Sequence, residues 1–431
     1  MARTKTPRKA KAAKPSSPSS ASATASASSK TSRPLTGLYV AIFAAISGLC
    51  LWIMRIETVL ADVPANFMPQ VEAARYDNGL PMRTRYTGVA ALDDTFRYLV
   101  LSFIAGPAGW DDGVRLQQIH FLVNFFAVVC VWNVEACRRR NAGRLISYTA
   151  IFACFYQTVG GAVIIPLYYL AYTLSSSSNA YYTSGREVAL PYARGLLFAA
   201  VVGYLVPTIA LYIPWFSFET TQLLTMVWQP APLFVNLLLF LSSLILPSSS
   251  SSSPSTSSTT TSSSSSTTPS KPKKNADIKH LKRLYLIAGL ISALTHLTTL
   301  YLSLTSSPSN PSLALRRIFL PSTTSRRDST VLGLHYIFQV DWWGIFAPTL
   351  LWAWVAVCDV MRILLKPAGG DKNNHNNNAS SLLAAVYIAC ATVVLGPGAA
   401  LALVWSWRED RLAMIEDGVR GTIRKPKPKS A

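Results

Sequence analysis

Two carboxylates stand in the sequence where an acid is costly to hold. Glu135 closes an apolar run in the stretch Trp132-Asn133-Val134-Glu135-Ala136-Cys137-Arg138, and Asp341 opens another in Phe338-Gln339-Val340-Asp341-Trp342-Trp343. A charge at the end of a membrane-length apolar segment needs a partner or a purpose. A carboxyl group in an apolar pocket keeps its proton near neutrality and is then a competent general acid. Indole and phenyl faces around it stabilise a carbocation through the ring quadrupole, and an apolar lumen admits an isoprenoid chain from the bilayer. The expected constellation is Glu135 and Asp341 as proton donor and orienting partner, with Trp132, Trp342, Trp343 and Glu219 lining the substrate. A plainer account stands beside it. Glu135 lies three and four residues before Arg138 and Arg139, the spacing of a helical ion pair. Asp341 would serve as a helix cap, and Trp132, Trp215, Trp228, Trp342 and Trp343 with Phe216 and Phe218 form an interfacial aromatic belt.

Other chemistries lack their residues. The chain has no G-x-x-x-x-G-K-[ST], H-E-x-x-H, G-x-S-x-G or G-x-G-x-x-G sequence, and no cofactor is expected. His120, His280, His296, His335 and His375 have no ligand spacing, and the six cysteines show no CxxC or Cys/His pairing, so no metal site is expected. Asp93-Asp94 and Asp111-Asp112 read as loop or helix-cap residues. The net charge of +20 gathers in the tails and short loops without an aromatic-basic platform, which excludes a nucleic-acid partner.

The elements that must position these residues are membrane helices. Of 431 residues, 50% are apolar and only 14% charged, where a soluble domain carries roughly a quarter charged. Apolar runs near the 18 residues that a bilayer demands predict an all-α, polytopic helical membrane protein with eight spans, near 37–54, 117–136, 145–173, 195–215, 232–247, 284–304, 338–361 and 381–406. Residues 1–35 and 408–431 are basic tails, and 248–283 forms a Ser/Thr-rich loop that breaks the spans into groups of five (36–247) and three (284–407). Tyr98 to Ala108 is too short to cross and reads as an interfacial or re-entrant piece. Eight crossings put both basic tails in the cytosol. They also put Arg138 to Arg144, Arg316-Arg317, Arg326-Arg327, Glu135, Glu219 and Asp341 at the cytosolic face, Glu57 and Asp359 at the other, and the N-glycosylation sequon Asn378-Ala379-Ser380 in the lumen. The lysines at 271–282 would be lumenal too, against the rule.

The Trp132–Arg138 and Phe338–Trp343 stretches, with Leu351-Trp352-Ala353, resemble segments of the integral membrane proteins of fungal terpenoid gene clusters, including the terpene cyclases of meroterpenoid and indole-diterpene pathways. The resemblance implies an endoplasmic-reticulum membrane enzyme of secondary metabolism that cyclises a prenylated, epoxidised or alkene substrate by metal-free protonation. Glu135 and Asp341 then take the acid roles, and enzymes of the same pathway are partners. A lipophilic-metabolite transporter and a membrane scaffold are the alternatives: the first needs paired inverted halves, which are not evident, and the second needs no convergent acids.

Overall fold

The computed structural model describes residues 32–215, 217–246, 274–306, 308–364 and 374–424. Residues 1–31 and 425–431, most of the Ser/Thr-rich loop and Phe216 lie outside them, as does the side chain of Asn378. The first part of the expected C-terminal tail, 408–424, instead continues a helix, with Arg408, Glu409 and Leu412 buried in the bundle. Among the described residues the chain is helical throughout, with isolated bridges in place of strands.

Five helices are long and apolar enough to cross a membrane. They are α1 (Thr36–Leu60), α4 (Asp112–Cys137), α7 (Leu190–Leu211), α10 (Ile278–Ser306) and α12 (Thr330–Leu364). The candidate for a sixth is the pair α8 (Phe218–Trp228) and α9 (Ala231–Ile245), apolar enough when taken together and bent by 58° where Pro230 follows the end of α8. Between α1 and α4 lie two shorter helices, α2 (Phe67–Ala73) and α3 (Ala90–Phe103), which cap one end of the bundle. Asp93 fastens that cap by accepting from the backbone N–H groups of Thr87, Tyr86 and Gly88. Those bonds, Thr87 first, hold its carboxyl below the usual carboxylate range.

The two remaining apolar stretches each fold back on themselves, which leaves five or, with the bent pair, six candidate spans where eight were expected. The stretch 145–173 breaks at Gly160 into α5 (Thr149–Thr158) and α6 (Gly161–Ser175). At φ +119° Gly160 holds a backbone conformation that a side chain strains. Arg144, before α5, donates to Ser175 O at the end of α6 at 2.7 Å, so the hairpin starts and finishes at one end of the bundle. The stretch 381–406 breaks at Gly396-Pro397 into α13 (Asn374–Leu395) and α14 (Pro397–Arg424), the proline sitting at the first helical position, where it needs no hydrogen-bond partner. Trp354 near the C-terminal end of α12 donates to Ser381 O, whereas Gly398 at the tip donates to Asn124 Oδ1, about half-way along α4. Both hairpins thus dip in and return.

This changes the placement of the loops. Arg138 to Arg144, Arg186, Asp277 and Asp359 share one end with the entry of the chain at Arg33, which pairs with Asp359 at 2.9 Å. The lysines at 274–282 lie there too, through Asp277 and the Lys282–Asp410 pair, which removes the exception to the positive-inside pattern. Arg317, Arg326, Glu57 and Glu219 lie at the capped end, opposite Arg138, through the Arg317–Asp111, Arg326–Glu57 and Arg83–Glu219 pairs. The expected grouping of these acids and arginines on one face is therefore corrected. Helix α4 is the central pillar, with 89% of its most apolar window buried against 22% for α1 and 28% for α10.

Candidate functional site

A cavity of about 510 Å³ opens at the capped end, between α1, α3, α4, α12 and the tip of the first hairpin. One stripe of α12 faces it, formed by Leu334, Ile337, Phe338, Asp341 and Ile345 at the spacing of a single helical face. Asp341 is the carboxylate of that stripe. Its Oδ1 accepts the Ala162 N–H at 2.6 Å, at the N-terminus of α6, where unpaired backbone N–H groups and the helix dipole favour negative charge. The hairpin tip makes room for it: a side chain on Gly161 would collide with Ile345, and its Cβ would stand 3.4 Å from Asp341 Oδ1. Arg55 holds the tip from outside, donating to Val159 O at 2.7 Å and Thr158 O at 3.1 Å.

Two departures from α-helix feed the same wall. A π turn at Trp52–Glu57 turns Met54 and Arg55 into the cavity, and a second at Val201–Leu205 does so with Tyr204. Such turns carry one extra residue and are frequent at functional sites. The interior end is aromatic. Phe103 packs edge-on against Phe338 at 4.9 Å and lies 5.0 Å from Trp228, while Phe125 meets Tyr156 at 5.4 Å and Tyr204 at 6.1 Å. A polar group, Asp62, Asn66, Gln157, Thr158 or Arg55, stands along the outer rim. The arrangement is one interior carboxyl group, Asp341, beside an aromatic chamber, able to give a proton and then be stabilised as an anion by Ala162 N–H, with Asp62 exposed at the rim.

Glu135 is placed elsewhere, 10 residues beyond the cavity-lining Phe125 and so about 15 Å along α4. Its Oε1 accepts from Arg138 Nε at 2.8 Å, Arg408 Nη1 at 2.8 Å and Trp405 Nε1 at 3.0 Å. Tyr172 donates to Oε2 at 3.1 Å while accepting from Arg408. Arg138 continues to Glu409, which also takes Tyr285 at 3.0 Å, and Arg186 links Glu409 to Asp277. The cluster is buried and joins α4, α6, α10 and α14. Guanidinium and indole only donate, so Glu135 sits there as an anion with nothing to give. The i,i+3 pair with Arg138 is present, and Arg139 turns to Glu187 instead.

The expected walls also part company. Trp132 stacks on Tyr168 at 3.7 Å in the core between α4 and the hairpin, away from the cavity. Trp342 and Trp343 follow Asp341 by one and two residues and so leave its stripe. Trp342 packs on Phe319 and Phe346, and Trp343, 45% exposed, donates to Phe319 O. Glu219 pairs with Arg83 at the surface. Of the named site residues only Asp341 lines the cavity; the three acids do not converge. Phe103, Phe121, Phe125, Phe338 and Tyr204 were missed, although the 3.6-residue repeat through Phe338 and Asp341 was visible. Trp228, read as belt, is part of the wall. Among the described residues no three His, Cys, Asp or Glu side chains gather as for a metal ion, and His120 and His296 form an isolated pair at 2.9 Å.

Comparison with known proteins gives this arrangement a context. The CtvD domain family matches residues 65–413. The chain is 26% identical to the terpene cyclase DEP1 of Fusarium langsethiae, over 78% of this chain and 89% of that protein. It is 30% identical to the terpene cyclase ctvD of Aspergillus terreus over 36% of this chain and 46% of that one. The FAD-dependent monooxygenase verC1 of Penicillium polonicum is 26% identical over 78% of this chain, but the chain spans only 37% of its length. No solved structure matches the chain.

Proposed function

The chain belongs to the CtvD domain family, and from that membership and the Asp341 cavity we propose that it is a membrane terpene cyclase, protonating a lipophilic isoprenoid-bearing substrate to start ring closure. The observation that carries the reading is the Asp341 carboxylate facing an aromatic chamber within a bundle of membrane-length helices, with the other lining acid, Asp62, exposed at the rim. Asp341 delivers its proton to an alkene or epoxide oxygen of the bound chain, and the Ala162 N–H stabilises the carboxylate left behind. The cation migrates along the folded chain past Phe103, Phe338 and Trp228, whose faces lower its energy. The desolvated interior withholds water, which would otherwise quench it. Loss of a proton then ends the sequence. Relatives named terpene cyclases support the class of reaction. The relative named as an FAD-dependent monooxygenase, of which this chain spans 37% of the length, supports a substrate that has been oxidised beforehand.

The test is Asp341→Asn in a host or membrane preparation supplied with prenylated phenols and their terminal epoxides. Asparagine keeps the shape and the bond to Ala162 N–H but has no proton to give, so cyclised product should fall by about 10²–10⁴-fold at unchanged protein level. Normal product from this variant would sink Asp341 as the acid.

A further inference from the structure

We propose that the cavity lies in the non-cytosolic leaflet and is loaded sideways from that leaflet through a mouth framed by Val59, Met68 and Tyr98. The identity of what enters rests on the isoprenoid reading above; the side does not. The side follows from the two hairpins. Because each returns to its starting end, six crossings bring the start of α1 and the end of α14 to the end that holds Arg138. Every lysine of the sequence falls in 1–31, 271–282, 366–372 or 424–431, segments that are in or join the fold at that end. Short basic loops and tails are retained in the cytosol. The capped end carries no lysine; its basic residues are the arginines at 55, 75, 83, 85, 97, 115, 316, 317, 326 and 327, and those at 83, 97, 317 and 326 pair with an acid. The cavity is at the capped end, hence in the opposite leaflet.

The mouth is apolar on the outside as well as the inside. Val59, Met68 and Tyr98 line the cavity and are also 75%, 51% and 41% exposed, and Leu60 beside them is 77% exposed. An apolar opening on the flank of a membrane bundle faces hydrocarbon. Arg55 and Asp62 stand beside it, so an amphiphile whose chain dissolves in the leaflet enters tail first and leaves its polar head at the rim.

Two measurements test this separately. For the side, Ala142→Cys in the basic loop and Ser322→Cys at the capped end, both exposed, are placed in a background with the exposed Cys154 and Cys390 changed to alanine. In sealed microsomes, cytosolic face outward, a membrane-impermeant maleimide should label Ala142→Cys directly and Ser322→Cys only after detergent. The reverse pattern would overturn the orientation, as would a glycosidase-sensitive mass shift abolished by Asn378→Gln. For the mouth, a farnesol analogue with a terminal diazirine, dissolved in the vesicles, is photo-crosslinked. Val59→Trp and Met68→Trp should cut labelling at least fivefold, while Leu290→Trp, on the exposed face of α10, should not. Equal labelling of all four proteins would remove the mouth. Neither readout uses turnover, so a failure of Asp341→Asn to block cyclisation leaves both outcomes interpretable.

Discussion

The two acids that look alike in the sequence sit at opposite ends of the bundle in opposite circumstances. Glu135 is enclosed by Arg138, Arg408, Trp405 and Tyr172, each of which donates to it. Asp341 has the Ala162 N–H on one oxygen and a chamber in front of it. An apolar span ending in Trp and an acid therefore marks a place where charge must be managed, and what manages it decides the role. Counter-charges make a structural joint. Backbone N–H donors at a helix start, beside a void, leave a reactive group.

The contrast is broken most directly by exchanging one atom at each acid. Asp341→Asn should lose about 10²–10⁴-fold in turnover with an unchanged melting temperature in detergent. Glu135→Gln should do the opposite. Removing one member of a buried ion cluster costs about 3–5 kcal/mol because the remaining charges lose their counter-ion, so the melting temperature and membrane level should drop, while product formed per folded molecule stays near wild type. A Glu135→Gln protein of normal stability but no turnover would reverse the assignment.

The contact between hairpin tip and acid sharpens the same point with a smaller effect. Gly161→Ala places a methyl group 2.4 Å from Ile345 Cδ1 and 3.4 Å from Asp341 Oδ1, so the Ile345 side chain or the hairpin tip beside the acid must give way. A displacement of about 1 Å at a reacting group costs up to about 100-fold, and turnover should fall between ten- and a hundredfold. The aromatics come next. Trp228→Leu should redistribute products, read by mass spectrometry of the terpenoid fraction, whereas Trp343→Leu, outside the cavity, should leave the product ratio as it was. The smallest effect belongs to Glu219→Gln. An exposed pair with Arg83 is worth about 0–1 kcal/mol, so neither stability nor turnover should move measurably; a large loss would return Glu219 to the site.

What the sequence made legible were the quantities that depend on composition. Apolar length marked the long helices of the bundle and the non-crossing piece around α3, and residue type marked the Asp111 cap on α4, but α8 was read as a loop and the second half of α14 as a tail. What it hid was direction. A run of apolar residues has the same composition whether it crosses or turns back. Gly160-Gly161 and Gly396-Pro397-Gly398 were in view as breaks in such runs, yet only the Arg144–Ser175 and Asn124–Gly398 contacts show that the chain reverses there. Each missed reversal flips the side of everything after it, and for that reason Glu135 and Asp341 were expected on one face. Arg408 and Glu409, which decide the state of Glu135, lie some 270 positions away in the chain. Helical pattern within a segment carries no trace of them.

The two π turns set the phase of the wall. Each holds one residue more than an α-helical turn in the same length, and one residue is about 100° of rotation. Upstream of Trp52, helix α1 packs by one angular register, with Phe43 and Ser47 turned to the hairpin. Downstream, the inserted residue swings Arg55 to the tip and Glu57 to Arg326, positions that an unbroken helix would point elsewhere. Removing a single residue from 52–57 would leave the hydropathy of the span almost untouched, yet it would rotate the lower third of α1 and close the cavity by turning its lining outward.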